Sequence, residues 1–254
     1  MLAKVVAYLR LELLIFLKGL RYVFYPTQIK WIQKPDAKNW DDIRLIFILN
    51  HTSLFEFIYA GVIPFKFLVR MSQNLVFPVA KETLAHPFYG PALKTLAPEV
   101  VPVTRRRDRT WQAFLAQLQP ATILIVMPEG RMKRPDGLDK QGRAMTVKGG
   151  ALDILRKFSQ DKALLVYSGG LHHVLPPGKY VPRIFKRLAV ALEAININEY
   201  LQTLEATRDR LSLKEAVARD LETRRDRYCP QVKRVACRFG GLGRDRLKLI
   251  SNRE

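Results

Sequence analysis

A chain of 254 residues, 48% hydrophobic and 26% charged, is long enough for one well-filled α/β domain with decorated ends and too apolar for a disordered protein. Its 43 Lys+Arg against 23 Asp+Glu leave a formal charge of +20, which points to a polyanionic partner, either nucleic acid or an anionic lipid surface, without choosing between them. The two cysteines, Cys229 and Cys237, match no zinc spacing and make no disulfide framework, which fits two unremarkable thiols in a reducing compartment.

In chain order, a helix is expected over about residues 5–25. Its longest uninterrupted apolar run, 13–17, is well short of the ~20 residues that a bilayer span requires, and no signal-peptide cleavage pattern follows it. At about 100° per residue, Lys4, Arg10, Lys18 and Arg21 share about a third of the circumference, with Leu11 and Leu14 among them and Glu12 outside. Two readings stand. One is an interfacial helix with its basic residues at headgroup level and its apolar ones sunk toward the acyl chains; the other is an ordinary amphipathic helix packed on the domain.

After a loop around 35–39, apolar β-rich runs alternate with helical stretches. Strands are expected at 43–49, 75–80, 100–103, 122–127, 163–167 and 187–194. Helices are expected from about 53 and at 87–96 (opened by Pro87), 110–118 and 150–158. The strand 122–127 is nearly all apolar and therefore expected at the centre of the sheet. This alternation predicts an α/β sheet with both faces covered. From about residue 198 the chain becomes helical and charge-rich, with Leu211, Leu213, Ala216, Val217 and Leu221 able to form one apolar stripe; beyond Pro230 it is basic and punctuated by glycine. The expected division is an N-terminal membrane-interface helix over 1–34, an α/β domain over 35–197 and a helical basic extension over 198–254.

In such sheets chemistry gathers beyond the carboxyl ends of strands. Three polar segments fall there: Asn50-His51, the arginines 105–107, and Glu129-Gly130-Arg131. His51 follows an apolar strand and precedes two helix-capping residues, Thr52 and Ser53. Glu56, five residues on, can meet it only by reaching back from the first helical turn. A neutral imidazole so placed could take a proton from an attacking hydroxyl, with the carboxylate fixing its tautomer. Ser53 to Glu56 is equally a capping box, in which the glutamate only bonds back to a backbone N–H. On the spacing alone the cap is favoured, since a histidine with an acid five residues later is common by chance. His172 and His173 invite a metal reading, but neighbours on an extended chain point oppositely and no third ligand lies nearby, so no metal site is expected. His86, beside the Pro87 helix start, reads as structural.

The company of the histidine decides more. NHTSLFE resembles the N-H-x4-D box of the glycerolipid acyltransferase family, to which the bacterial 1-acylglycerol-3-phosphate acyltransferases belong. AKETLAHPFYGPAL resembles that family's Lys-x-Glu-Leu…Pro-x-x-Gly stretch, VPVTR its second box, MPEGR its third, Pro-Glu-Gly-Thr-Arg, and VKGGA its later Lys-x-Gly segment. Order and separations agree over roughly residues 43–194. Three departures stand out. Glu56 replaces the usual aspartate. Arg131 directly follows Gly130, leaving Met132 where the family's arginine falls. LLVYSGGLHHV replaces an apolar strand ending in proline.

The resemblance implies a glycerol-3-phosphate acyltransferase-like fold with a mixed, mostly parallel sheet. It implies His51 as base and Glu56 as its partner, and an acceptor-phosphate site drawn from Arg105, Glu129, Gly130 and Arg131. A guanidinium suits that role because it donates two parallel hydrogen bonds to a phosphate. The implied reaction is transfer of a fatty acyl group from acyl-CoA or acyl carrier protein to the hydroxyl of a lyso-lipid, by default 1-acyl-sn-glycerol-3-phosphate, in phospholipid biosynthesis. No cofactor beyond that donor is implied. The implied place is the cytoplasmic face of a membrane, as a peripheral or monotopic protein, with anionic membrane lipids as partners. Two other classes explain the charge: a nucleic-acid-binding protein, for which neither a reading module nor aromatic-interleaved basic strands occur, and a catalytically silent membrane-binding relative.

Overall fold

The computed structural model describes residues 2–232, apart from 86, 88, 98 and 104–107. Among them, seven strands form one sheet in the order β1-β7-β6-β2-β5-β3-β4. The strands are β1 (Thr27–Gln33), β2 (Ile43–Leu49), β3 (Leu75–Ala80), β4 (Glu99–Val103), β5 (Ile123–Val126), β6 (Lys162–Gly169) and β7 (Leu188–Asn196). Every neighbouring pair is parallel except β6 with β7, so the sheet is mixed and mostly parallel, as expected.

Alternation along the strands builds two cores. On β2, Ile46 and Ile48 face one cluster while Leu45, Phe47 and Leu49 face the other. The first cluster lies beneath α1 (Leu2–Phe24) and α2 (Phe65–Asn74). The second lies beneath α5 (Arg109–Gln117), α6 (Gly150–Lys157), α8 (Ile197–Thr207) and α9 (Leu213–Tyr228). Because both faces are covered, the inner strands are apolar nearly throughout. The short helices α3 (Lys81–Leu84), α4 (Tyr89–Leu96) and α7 (Leu171–Val174) fill connections.

Four expectations change. The middle of the sheet is β2, and β5 is its neighbour; β5 is wholly buried because helices cover it on both faces, and a position one strand off centre suffices for that. Residues 27–33, expected to lie outside the sheet, form its edge strand, with Gln28 and Lys30 exposed as an edge allows. The helix expected from residue 53 is a 3₁₀ turn over Glu56–Val62, followed by α2. Finally, His172 and His173 lie on the helical turn α7 rather than on extended chain, and their rings meet at 3.8 Å, tilted by 50°, instead of pointing apart.

Helix α1 is packed on the domain and amphipathic in the sense opposite to an interfacial helix with headgroup-level cations. Leu14 and Leu17 are buried, and Arg10, Lys18 and Arg21 of the basic sector turn inward with them, while Lys4 stays exposed. Lys18 donates to the carbonyls of Gly61 (3.0 Å) and Ile63 (2.8 Å), capping the 3₁₀ turn. Arg10 and Arg21 are half-buried, and burial lowers the pKa of both. The outward face carries Val5, Tyr8, Leu9, Phe16, Tyr22 and Val23, all more than half exposed.

The C-terminal helices are part of the body. Arg224 of α9 pairs with Glu193 of β7 (2.7 Å), whose other oxygen accepts from the Tyr167 hydroxyl of β6 (2.6 Å). Farther on, the chain crosses Gly169 so closely that an added Cβ would lie 2.4 Å from the Pro230 carbonyl oxygen. Gly169→Ala is therefore expected to cost roughly 1–3 kcal/mol as overpacking, read as a fall in the thermal unfolding midpoint; an unchanged midpoint would show that residues 230–232 do not seal this strand end.

Candidate active site

The site begins where β2 ends. Asn50 takes a left-handed conformation, φ 64°, which asparagine tolerates better than most residues, and its side-chain amide donates to the Ser168 carbonyl at the end of β6 (2.7 Å). This turns the chain so that His51 leaves the sheet edge in a fixed direction. The His51 backbone is then held from both sides. Its N–H donates to Glu129 Oε2 (2.9 Å), and its carbonyl accepts from the Lys133 N–H (2.7 Å). Both partners lie in the segment after β5, which pairs in parallel with β2, Phe47 opposite Val126.

Glu56 opens the 3₁₀ turn and reaches back, as its position required. Its Oε2 is 2.8 Å from His51 Nδ1, while its Oε1 accepts from the N–H groups of Thr52 (3.0 Å) and Ser53 (3.2 Å). Glu56 is 2% exposed and the His51 side chain 12%, so the pair is shielded but the imidazole keeps an open edge. With both oxygens acting as acceptors, Nδ1 carries the proton and Nε2 keeps its lone pair. Burial opposes protonation of His51. The charge and hydrogen bond of Glu56, with the charge of Glu129, outweigh it and hold the His51 pKa above its ordinary 6.5.

Glu129 lies behind the histidine and is fully buried. Its second oxygen accepts from Arg225 of α9 (2.9 Å), which also donates to the Met145 carbonyl (3.0 Å). Both carboxylate oxygens thus face protein donors. Gly130, φ 65°, supplies the left-handed turn that brings Lys133 back to His51, and it lies against the Lys148 side chain. Arg131 is ion-paired with the buried Asp139, which also accepts from Arg143 Nε (3.0 Å). Burial alone would push the Asp139 pKa up. Hydrogen bonds from the Arg143 backbone, Arg131 and the Gln141 N–H outweigh it and hold this carboxyl well below the usual range. Lys148 is the reverse case: partial burial and then the charges of Arg131 and Arg143 lower its pKa. The loop after Gly130 therefore gathers three cations around one carboxylate, an arrangement that suits an anion. Arg105, expected at the acceptor phosphate, lies outside the described residues, as do His86 and Cys237.

Sequence reasoning missed Arg225, although the signal was present. Val217, Leu221 and Arg225 recur every four residues, so an arginine occupies the next position of the apolar stripe, and all three are buried. It also missed Tyr59, whose buried hydroxyl sits within 3.0 Å of the Gly169 carbonyl and 3.2 Å of the Ala189 carbonyl, tying the 3₁₀ turn to β6 and β7. Cys229 is half-buried near Glu129 and Arg225. Desolvation, followed by the Glu129 charge, pushes its thiol pKa up to about 12, which leaves it unreactive. Among the described residues, no group of His, Cys, Asp or Glu is arranged to hold a metal ion.

Two comparisons with known proteins match. The model of the acyltransferase family matches residues 30–171, from within β1 to the start of α7. The fold resembles the crystal structure of PlsC, a 1-acyl-sn-glycerophosphate (LPA) acyltransferase from Thermotoga maritima, with a TM-score of 0.51 and 18% sequence identity over 86% of this chain and 79% of that one. Curated proteins give no match.

Two measurements test the geometry. In an NMR titration the His51 imidazole should titrate above pH 6.5, and Glu56→Gln should bring it down; equal values would break the pair. The sign is that a raised histidine pKa adds stability fully present below pH 6.5 and lost as pH rises through the folded value. Separately, Arg225→Met should cost roughly 3–5 kcal/mol because it strands the buried Glu129 charge, and adding Glu129→Gln should recover part of that in denaturant unfolding. A loss under about 1 kcal/mol would place the pair in contact with water.

Proposed function

The chain belongs to the acyltransferase family, and on that premise we propose that it moves a fatty acyl group from a thioester to the hydroxyl of a lyso-lipid at a membrane surface. The observation that carries this reading is the His51–Glu56 pair, with Nδ1 committed to the carboxylate and an open edge left on the imidazole. His51 Nε2 removes the proton of the acceptor hydroxyl as its oxygen attacks the thioester carbonyl. The C–S bond then breaks, and the imidazolium returns the proton to the departing thiolate. Glu56 stabilises the imidazolium and stays ionised throughout. A thioester carbonyl is already activated, so acyl-CoA or acyl carrier protein suffices as co-substrate and the reaction needs no further cofactor.

Glu129 and Arg225 act as positioning residues in this reading, since the carboxylate meets the histidine's backbone N–H and has no surface left for a ligand. The acceptor's phosphate falls to Arg131 and Lys148, beside the left-handed turn at Gly130, and the motif assigns Arg105 to it as well. 1-Acyl-sn-glycerol-3-phosphate is the proposed acceptor, because a terminal phosphate gives this cationic loop a dianion to bind. Another lyso-lipid is the second reading, and Arg131 is what favours it: that guanidinium is already paired with Asp139. The setting is the cytoplasmic face of a membrane, with peripheral attachment. Among the described residues no helix is long and apolar enough to cross a bilayer.

A panel of lyso-lipids presented on anionic vesicles, each with acyl-CoA and with acyl carrier protein as donor, tests the proposal. Ester formation is expected with at least one acceptor, highest with lysophosphatidic acid. Folded protein that acylates none of them would refute the reading, and a neutral lyso-lipid preferred over the phosphate would favour the second acceptor.

A further inference from the structure

The loop 176–187, between α7 and β7, is unusual in what it exposes. Val181 is 80% exposed, and Tyr180, Ile184 and Phe185 are half exposed or more. Lys179, Arg183 and Arg187, also exposed, interleave with them. Four large apolar side chains presented together on a short loop are not dispersed surface hydrophobes of the ordinary kind.

The loop is also held in this form. Phe185 has φ 58°, a left-handed conformation that a bulky residue adopts only when its surroundings enforce it. Its N–H donates to the Phe24 carbonyl at the end of α1 (3.0 Å), and the two rings stand 5.6 Å apart. Arg183 N–H donates to the Val174 carbonyl (2.9 Å), and Leu188 N–H to the Pro26 carbonyl (2.9 Å). The loop is therefore pinned to the C-terminal end of α1, whose outward face carries Tyr22 and Val23 beside that junction. Both elements hang on the turn that bears Glu56. Lys18 of α1 caps that turn, and Tyr59 within it bonds to the strand ends that frame the loop.

We propose that loop 176–187 is a membrane-contact element, which joins the exposed apolar face of α1 in one docking surface for an anionic bilayer. Charge decides the partner. Side chains of Val, Ile, Phe and Tyr gain by entering the acyl boundary, and the interleaved lysine and arginines then lie at the level of anionic headgroups. On α1, Arg10, Lys18 and Arg21 turn inward and only Lys4, near its start, is exposed, so most of the headgroup contacts fall to this loop. The proposal rests on the lipid-acceptor reading for its purpose but not for its test.

That test is vesicle co-sedimentation without acyl donor, so a failure of acyl transfer leaves its outcome readable. The protein should partition onto phosphatidylglycerol-containing vesicles more strongly than onto pure phosphatidylcholine, and less so as salt rises. Val181→Asp with Ile184→Asp should lower the partition coefficient by about tenfold; both side chains are exposed, and an unchanged thermal midpoint confirms the fold. Arg183→Glu with Arg187→Glu should abolish the preference for anionic lipid while leaving residual binding through the apolar face. Wild-type partition by the aspartate variant, or equal binding to both vesicle types by the wild type, would overturn the proposal. So would light scattering that shows a dimer dispersed by the same substitutions with vesicle binding unchanged, since the occupant would then be a second copy of the chain.

Discussion

One buried carboxylate, that of Glu56, determines much of what this site can do. A carboxylate removed from water must be met by donors, and here three converge: two backbone N–H groups on one oxygen and the His51 ring on the other. The two backbone donors fix the residues immediately after His51, and the third fixes the ring. The carboxylate therefore sets the path of the chain between strand and turn, the imidazole tautomer and its proton affinity at once. The capping reading and the catalytic reading of this segment describe the two oxygens of the same group.

What Glu56 does for the ring, Glu129 does for the backbone. Its bond to the His51 N–H would be of little use from a mobile loop, and Arg225 holds it in place from a helix nearly a hundred residues away. Four elements thus meet at one histidine: β2 delivers it, the segment after β5 grips it, the end of β6 fixes Asn50 before it, and α9 locks the grip. A buried ion pair is weak evidence for net stability, because desolvating both charges offsets their attraction. Its value here is geometric, since it leaves the glutamate no other arrangement. The α9 helix is tied in again through Arg224, Glu193 and Tyr167, so the charge-rich end of the chain stabilises the site as well as covering the sheet.

Most of the sheet was legible in the sequence because burial on both faces writes apolar runs such as 43–49 and 163–167 that have few alternatives. The edge strand β1 escaped because an edge is half solvated, and TQIKWIQ carries polar residues at the positions an inner strand would fill with apolar ones. The His51–Glu56 contact was readable as a possibility, since the spacing demanded a reach-back; the order of the later motifs gave it chemical meaning. Arg225 was not read because charge-rich helices are usually solvated, and only its place on the Val217–Leu221 stripe separates it from its exposed neighbours. The inward turn of Arg10, Lys18 and Arg21 was beyond reach as well. Helical periodicity places residues on a common face but does not say whether that face meets solvent or protein, and Lys18 found its partners in the carbonyls of a turn some forty residues away. The identity of the acceptor stays least legible, because Arg131 is both the charge that would bind a phosphate and the partner of Asp139.

The central claim is that His51 acts as a base on the acceptor and forms no covalent bond to the acyl group. Thiol release from an acyl thioester, followed with and without the lyso-lipid acceptor, tests it most directly. Release is expected only when acceptor is present, in step with ester formation, with a fall of roughly 10²–10⁴-fold in His51→Ala. A stoichiometric burst of thiol without acceptor, or undiminished transfer by His51→Ala, would contradict it.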